Sequence, residues 1–174
     1  MTTTVGTKAG ETNVGMKRTH NEDSFKVAPD EGLYLVADGM GGHLYGEVAS
    51  HITVQFLVEA FRREAASVIP DTAAFLEHAM TRAHHAIVDY ALGRRLAETP
   101  KTTCVACVVQ QGQARWAHAG DSRLYHLREG RVRAVLTDVG FETSGLYAVY
   151  PQTRFGTVNR VAFMDFVSEA LGTA

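Results

Sequence analysis

Asp38 is the residue whose setting in the chain most directly predicts chemistry. It follows an apolar run at 33–37 and precedes Gly39 in the glycine-rich segment "VADGMGGHLYGEVAS". A carboxylate at the end of an apolar strand costs stability unless it is solvated, paired or bound to a cation. Two common loops are excluded: a G-x-G-x-x-G motif from Gly39 would need glycine where the chain has Leu44, and no Gly-Lys-Ser/Thr follows for a P-loop.

The segment "RTHNEDSF" supplies a second group of polar side chains. Arg18, Glu22 and Asp23 lie just before a predicted strand that we expect to pair with the strand ending at Asp38. Two adjacent acids at a strand start are usually only solvated charges. Beside Asp38, however, they would form a cluster of oxygen ligands suited to Mg²⁺ or Mn²⁺. An arginine at the rim of that cluster would be shaped to bind a phosphate in a bidentate manner.

A third carboxylate, Asp121 in "HAGDSRLYHL", has a setting similar to that of Asp38. It follows an apolar strand, stands next to glycine and precedes another strand. A simple turn residue is the alternative interpretation of this acid taken alone. Three separate acids at predicted strand edges favour a shared metal site.

The two cysteines, Cys104 and Cys107, lie in the predicted strand "TTCVACVV". On a strand this odd spacing points the two side chains to opposite faces. A Cys-x-x-Cys redox motif is instead expected at a helix start after a strand. We therefore predict buried structural thiols in a reducing compartment.

The period of the apolar residues changes twice along the chain and predicts the elements that position these groups. Two strands come first, two long helices follow, and the spacing then returns to that of strands. The strands are predicted at 23–28, 32–38, 102–110, 113–120, 122–130 and 131–137, and the helices from 46 to about 66 and from 71 to about 96, with Asp71 as an N-cap. This order indicates an α+β layered fold and not a βαβ alternation.

Composition narrows the classes of partner. The 174 residues are 45% apolar and 21% charged with a net charge of −2, as in an ordinary single globular domain. The charge gives no reason to expect nucleic acid or a membrane surface as partner. The N-terminus has no apolar run after a basic segment, so we expect no secretory signal and a cytoplasmic location. The oligomeric state is left open.

Four segments carry a family resemblance, and they occur in the right order: "VGMKRTHNEDSF", "LYLVADGMGGHLYGEVAS", "TTCVACVV" and "WAHAGDSRLYHLREGRVRAVLTD". Together, over about residues 5–138, they resemble the N-terminal motifs of the metal-dependent protein serine/threonine phosphatases of type 2C in their bacterial form. The resemblance implies a four-layer αββα sandwich, here incomplete at its C-terminal side, with two Mg²⁺ or Mn²⁺ ions at one end. It also implies hydrolysis of phosphoserine and phosphothreonine by a metal-activated water without a phosphoenzyme.

The same resemblance implies a role for each matching residue. Asp38 would bridge the two metals, and Glu22 and the carbonyl of Gly39 would hold one of them. Arg18 would bind the phosphate of a phosphoprotein, the substrate of a partner serine/threonine kinase. The two remaining acids are Asp23, which would reach a metal through water, and Asp121, which would contribute to an additional, weaker metal site.

The resemblance stops near Asp138. The family's later Asp-Gly and Asp-Asn pairs, which supply acids to the metal site, do not occur after this position. One cation would therefore keep most of its protein ligands and the other only Asp38, which predicts impaired catalysis.

The tail is expected to be a separate, divergent part of the chain. We predict a phosphatase-like domain over 1–138 and a tail over 139–174 with a short strand, a break at Pro151 and an amphipathic helix. The tail is weakly similar to the C-terminus of the effector domain of LysR-type regulators, so it is either an unrelated fragment or a divergent end. Two other functions remain open: a non-catalytic module that binds a phosphoprotein, and an effector-sensing fragment.

Overall fold

Two antiparallel sheets and one pair of helices make up the described structure. The computed structural model describes residues 10–16, 19–28, 31–40, 45–64, 68–128, 131–135, 141–142 and 146–150. In chain order the elements are β1 (Asp23–Ala28), β2 (Leu33–Asp38), α1 (Gly46–Glu64), α2 (Thr72–Arg94), β3 (Cys104–Gln110), β4 (Gln113–Ala119), β5 (Arg123–Arg128), β6 (Arg131–Val135), β7 (Phe141–Glu142) and β8 (Leu146–Tyr150). The first sheet has the strand order β1-β2-β3-β4-β7, and the second has the order β6-β5-β8.

The two helices cover one face of the first sheet. Asp71 caps α2, since its side chain accepts the N–H of Ala74 at 2.9 Å, and this agrees with the N-cap predicted from the sequence. The helices meet where the rings of Phe61 and Phe75 pack edge to face with centroids 6.0 Å apart. Alternate residues of β2 complete this core from the sheet side, namely Leu33, Leu35 and Ala37.

The opposite face of the first sheet packs against the second sheet. A smaller buried cluster joins Val105 and Cys107 of β3, Ala114 of β4 and Leu124 of β5. Cys104 belongs to the helix-side core, so the prediction that the two cysteines face opposite ways is confirmed. Both thiols are free, and burial raises the pKa of each to about 12. The thiols are therefore structural groups and not reactive ones.

The predicted α+β class is confirmed, and every strand and helix expected before position 138 is present with ends within a few residues. Two short strands from the tail also join the sheets, because β7 pairs with β4 and β8 pairs with β5. The helix predicted after Pro151 lies outside the described residues. Within the part of the chain that the structure describes, no helix has the length and apolar character needed to cross a membrane.

Candidate metal centre

Three of the acids predicted from the sequence lie at one edge of the first sheet, the edge formed by the ends of its strands. β1 begins at Asp23 and β2 ends at Asp38, while β4 ends just before Asp121. Asp23 and Asp38 are direct partners in the antiparallel register of β1 and β2. The side chains of directly opposed residues lie on the same face with their Cβ atoms about 4.5–5.5 Å apart, and like charges in this arrangement repel each other. A cation between or beside them would relieve that repulsion.

Two threonines fix the backbone of Asp38. The N–H of Asp38 donates to Thr103 Oγ1 at 3.1 Å, and the N–H of Thr103 donates back to the Asp38 carbonyl at 2.8 Å. Thr102 Oγ1 donates to the same carbonyl at 2.9 Å. Thr103 is buried, and its hydroxyl lies 2.6 Å from the buried Ser122 Oγ. The backbone of the half-buried Asp38 is therefore held by three hydrogen bonds with the two threonines, and Ser122 supports one of these threonines.

Gly39 lies in a space that admits no side chain. Its N–H donates to the carbonyl of Glu22 at 3.0 Å. A Cβ at this position would come within 2.6 Å of that carbonyl oxygen and within 2.5 Å of the backbone of Gly46. The Glu22 carbonyl also accepts a bond from Ser50 Oγ of α1 at 2.7 Å. Absence of a side chain thus lets the end of β2, the residue before β1 and the start of α1 meet at one point.

The structure places two possible ligands that the sequence did not predict, His20 and Glu47, beside the predicted ligand Glu22. Among the described residues, His20, Glu22 and Glu47 each offer one ligand atom, and these atoms lie within 4.8 Å of one another. Glu22 is 7% exposed, and its Oε1 lies 3.3 Å from His20 Nε2. Glu47 stands in the first turn of α1, where an acid is normally explained by the helix dipole alone. The only signals in the sequence were the His-x-Glu spacing and an acid directly after the glycine-rich loop.

The other predicted site residues have different surroundings. Asp23 Oδ2 accepts a hydrogen bond from Thr12 Oγ1 at 3.1 Å, so this carboxylate is tied to the N-terminal segment. Asp121 is exposed and follows Gly120, whose φ of +94° and close approach to Thr103 both require glycine. Neither acid belongs to the group that contains Glu22. Arg18 lies outside the described residues.

The donor chemistry of this sheet edge fits a divalent cation. Carboxylates and a backbone carbonyl are the ligands that Mg²⁺ and Mn²⁺ prefer. The opposed pair Asp23 and Asp38 and the tight packing at Gly39 provide both negative charge and close access to the backbone. The chemistry of these donors therefore suits such an ion.

Comparison with known proteins identifies related chains. The sequence profile of the family described as Protein phosphatase 2C matches residues 15–161. A serine/threonine phosphatase stp of Listeria innocua is 34% identical over 131 residues, which cover 73% of this chain and 52% of that protein. The crystal structure of the Mycobacterium tuberculosis serine/threonine phosphatase PstP/Ppp superposes with a TM-score of 0.62 at 33% identity, covering 71% of this chain and 51% of that one.

A catalytic domain of PstP solved in complex with 2 manganese ions is also similar, with a TM-score of 0.60 at 32% identity over 71% of this chain and 52% of that one. The chain thus spans about half the length of the Listeria protein and of these two solved structures. The fold and the order of the motifs are shared over that half.

Proposed function

Because the chain belongs to the Protein phosphatase 2C family, we propose that it hydrolyses phosphoserine and phosphothreonine in proteins with the help of Mn²⁺ or Mg²⁺. The observation that carries this proposal is the position of Asp38, opposite Asp23 and held by two threonines, at the point where Gly39 packs on the Glu22 backbone. The two manganese ions in the PstP catalytic domain support the choice of cation.

We assign each residue a role that its chemistry permits. Asp38, Glu22 and the carbonyl of Gly39 would hold a cation, and Asp23 would act on it through water. When bound, a divalent cation polarises a phosphoryl oxygen and lowers the pKa of a coordinated water. The hydrogen bonds to the Asp38 backbone keep its carboxylate in one position, which reduces the reorganisation needed when substrate arrives.

Two further residues complete the proposed site. The planar, permanently charged guanidinium of Arg18 suits bidentate binding of the substrate phosphate. Asp121, exposed at the same edge of the sheet, would serve a weaker cation position. The phosphoprotein substrates would be those of a serine/threonine kinase in the cytoplasm.

The proposed domain over 1–138 is followed by a proposed tail over 139–174, whose described strands β7 and β8 pair with β4 and β5. In the described residues Glu22 Oε1 contacts His20 Nε2 and Asp23 Oδ2 accepts a hydrogen bond from Thr12, so both acids already have partners within the protein. This favours a second candidate function, a phosphatase-like module that binds a phosphoprotein without hydrolysing it.

Hydrolysis of a phosphothreonine peptide with and without Mn²⁺ tests the proposal. We expect manganese-dependent release of phosphate that Asp38→Asn reduces by at least about a hundredfold, since the change removes a charged metal ligand. Asp89→Asn, which alters an exposed acid of α2, is the matched control and should keep full activity. Equal background hydrolysis in all three proteins, combined with retained binding of the peptide, would contradict the proposed enzyme and support the second candidate function, the binding module.

A further inference from the structure

The group His20, Glu22 and Glu47 has the geometry of a cation site of its own. Ligands that lie 2.0–2.2 Å from a tetrahedrally coordinated ion are about 3.3–3.6 Å apart. The separation of 3.3 Å between His20 Nε2 and Glu22 Oε1 falls in that range. The ligand atom of Glu47 lies within 4.8 Å of both, so a small rotation of this exposed side chain completes three ligands.

The surroundings hold two of the three ligands in place. The carbonyl of Glu22 accepts bonds from Ser50 Oγ and from the N–H of Gly39, so the position of this residue is fixed between α1 and β2. His20 Nδ1 lies 3.2 Å from Thr19 Oγ1. Imidazoles that bind metals typically use their second ring nitrogen for a hydrogen bond of this kind, which fixes the ring and directs the first nitrogen to the ion.

Exposure allows an ion to enter and leave. The side chain of Glu22 is 9% exposed and that of His20 is 63% exposed, so a buried anchor is combined with a ligand that reaches solvent. Two carboxylates supply the charge that a divalent cation needs, and the imidazole changes the preference of the site. Imidazole suits Zn²⁺ and similar transition metals, whereas Mg²⁺ prefers oxygen ligands and retains its water shell.

We propose that His20, Glu22 and Glu47 form a second cation position, selective for a transition-metal ion such as Zn²⁺ over Mg²⁺. It shares Glu22 with the metal centre proposed above, but it does not require Asp38, Arg18 or turnover. The site lies entirely within the N-terminal half of the fold. It would therefore give this chain a second bound cation without acids from the family's C-terminal part.

Calorimetric titration of the full chain with Zn²⁺ and, separately, with Mg²⁺ tests this site. We expect Zn²⁺ to bind, with His20→Asn and Glu47→Gln each weakening that binding by at least about tenfold. His78→Asn, which changes an exposed histidine of α2, is the matched control and should bind Zn²⁺ like the unchanged protein. Neither His20→Asn nor the control should alter Mg²⁺ binding.

Asp38→Asn separates this proposal from the proposed phosphatase activity. It should reduce manganese-dependent hydrolysis by at least about a hundredfold while leaving the Zn²⁺ binding that depends on His20. Circular dichroism of each variant establishes that it is folded, and His20→Asn is the decisive variant because its side chain is largely exposed. The proposal is wrong if the unchanged protein does not bind Zn²⁺, or if His20→Asn binds it equally well. The contact of His20 with Glu22 would then be an ordinary surface ion pair.

Discussion

Replacement of Thr103 by valine removes one hydroxyl beneath Asp38 and keeps the shape of the side chain. Thr103 is 3% exposed, accepts the N–H of Asp38 at 3.1 Å and lies 2.6 Å from Ser122 Oγ. The substitution leaves a backbone donor and a buried hydroxyl without this partner. Each such loss costs about 1–3 kcal/mol, and we expect Thr103→Val to lower the free energy of unfolding by roughly 2–4 kcal/mol.

Urea denaturation followed by circular dichroism measures this loss. The slope of the free energy of unfolding against urea concentration should be unchanged, which would show that the folded state keeps its compactness. Thr102→Val is the matched control. Its hydroxyl donates to the carbonyl of Asp38 at 2.9 Å from a half-buried position where water can replace it, so a cost below about 1 kcal/mol is expected.

A double-mutant cycle with Ser122→Ala isolates the pair. Because Thr103→Val and Ser122→Ala disrupt the same hydroxyl contact, the double variant should lose less stability than the sum of the two single losses. A Thr103→Val protein within about 0.5 kcal/mol of the unchanged one, or a Thr102→Val protein equally destabilised, would refute the reasoning that buried hydroxyls position Asp38.

Two further predictions concern the close packing at Gly39 and the buried thiols. Gly39→Ala should lower the free energy of unfolding in urea by at least about 2 kcal/mol and weaken Mn²⁺ binding, because its Cβ would come within 2.5 Å of the Gly46 backbone. Gly93→Ala is the control, since a Cβ there meets nothing within 4 Å, and this variant should not be destabilised. Burial keeps the pKa of Cys104 and Cys107 at about 12 in the folded protein, against the ordinary value of 9.0 in the unfolded chain. The unfolded chain therefore binds fewer protons above pH 9, and the free energy of unfolding should fall as pH rises from 9 towards 12, by up to about 1.4 kcal/mol per pH unit for each thiol. Urea titrations at pH 8 and pH 10 measure this fall, and a Cys104→Ala, Cys107→Ala double variant that falls just as steeply would assign it to other groups.

Local features of the fold were predictable because local patterns determine them. The apolar run that forms β2 and the cap at Asp71 are readable from neighbouring residues, and both the strand and the cap are present in the structure. The opposite orientations of Cys104 and Cys107 follow from strand geometry alone. The acids Asp23 and Asp38 were expected at one sheet edge because antiparallel neighbours begin and end there.

The remainder of the site depends on contacts between distant parts of the chain. His20 precedes the first strand and Glu47 lies in the first turn of the first helix, and the contacts of Glu22 with Gly39 and Ser50 help to bring them together. No periodic pattern encodes such a meeting. The hydroxyl of Thr103 was likewise read as part of an ordinary strand, because its bond to Asp38 joins residues 65 positions apart.

That separation has a consequence for how the protein folds. The pairs β1 and β2, β3 and β4, and β5 and β6 are each joined by a short connection, whereas β2 meets β3 only after both helices have been traversed. The entropy lost in closing a loop grows with the logarithm of its length. The pairing of β2 with β3, here called the seam, therefore costs roughly 2–3 kcal/mol more to form than a hairpin of a few residues. Asp38 and Gly39 lie on the seam, bonded across it to Thr103 and bridged to Thr102. Capacity to bind an ion at Asp38 should therefore arise late during refolding, after the hairpins have formed, and an ion present at that stage would act mainly by slowing the reopening of the seam.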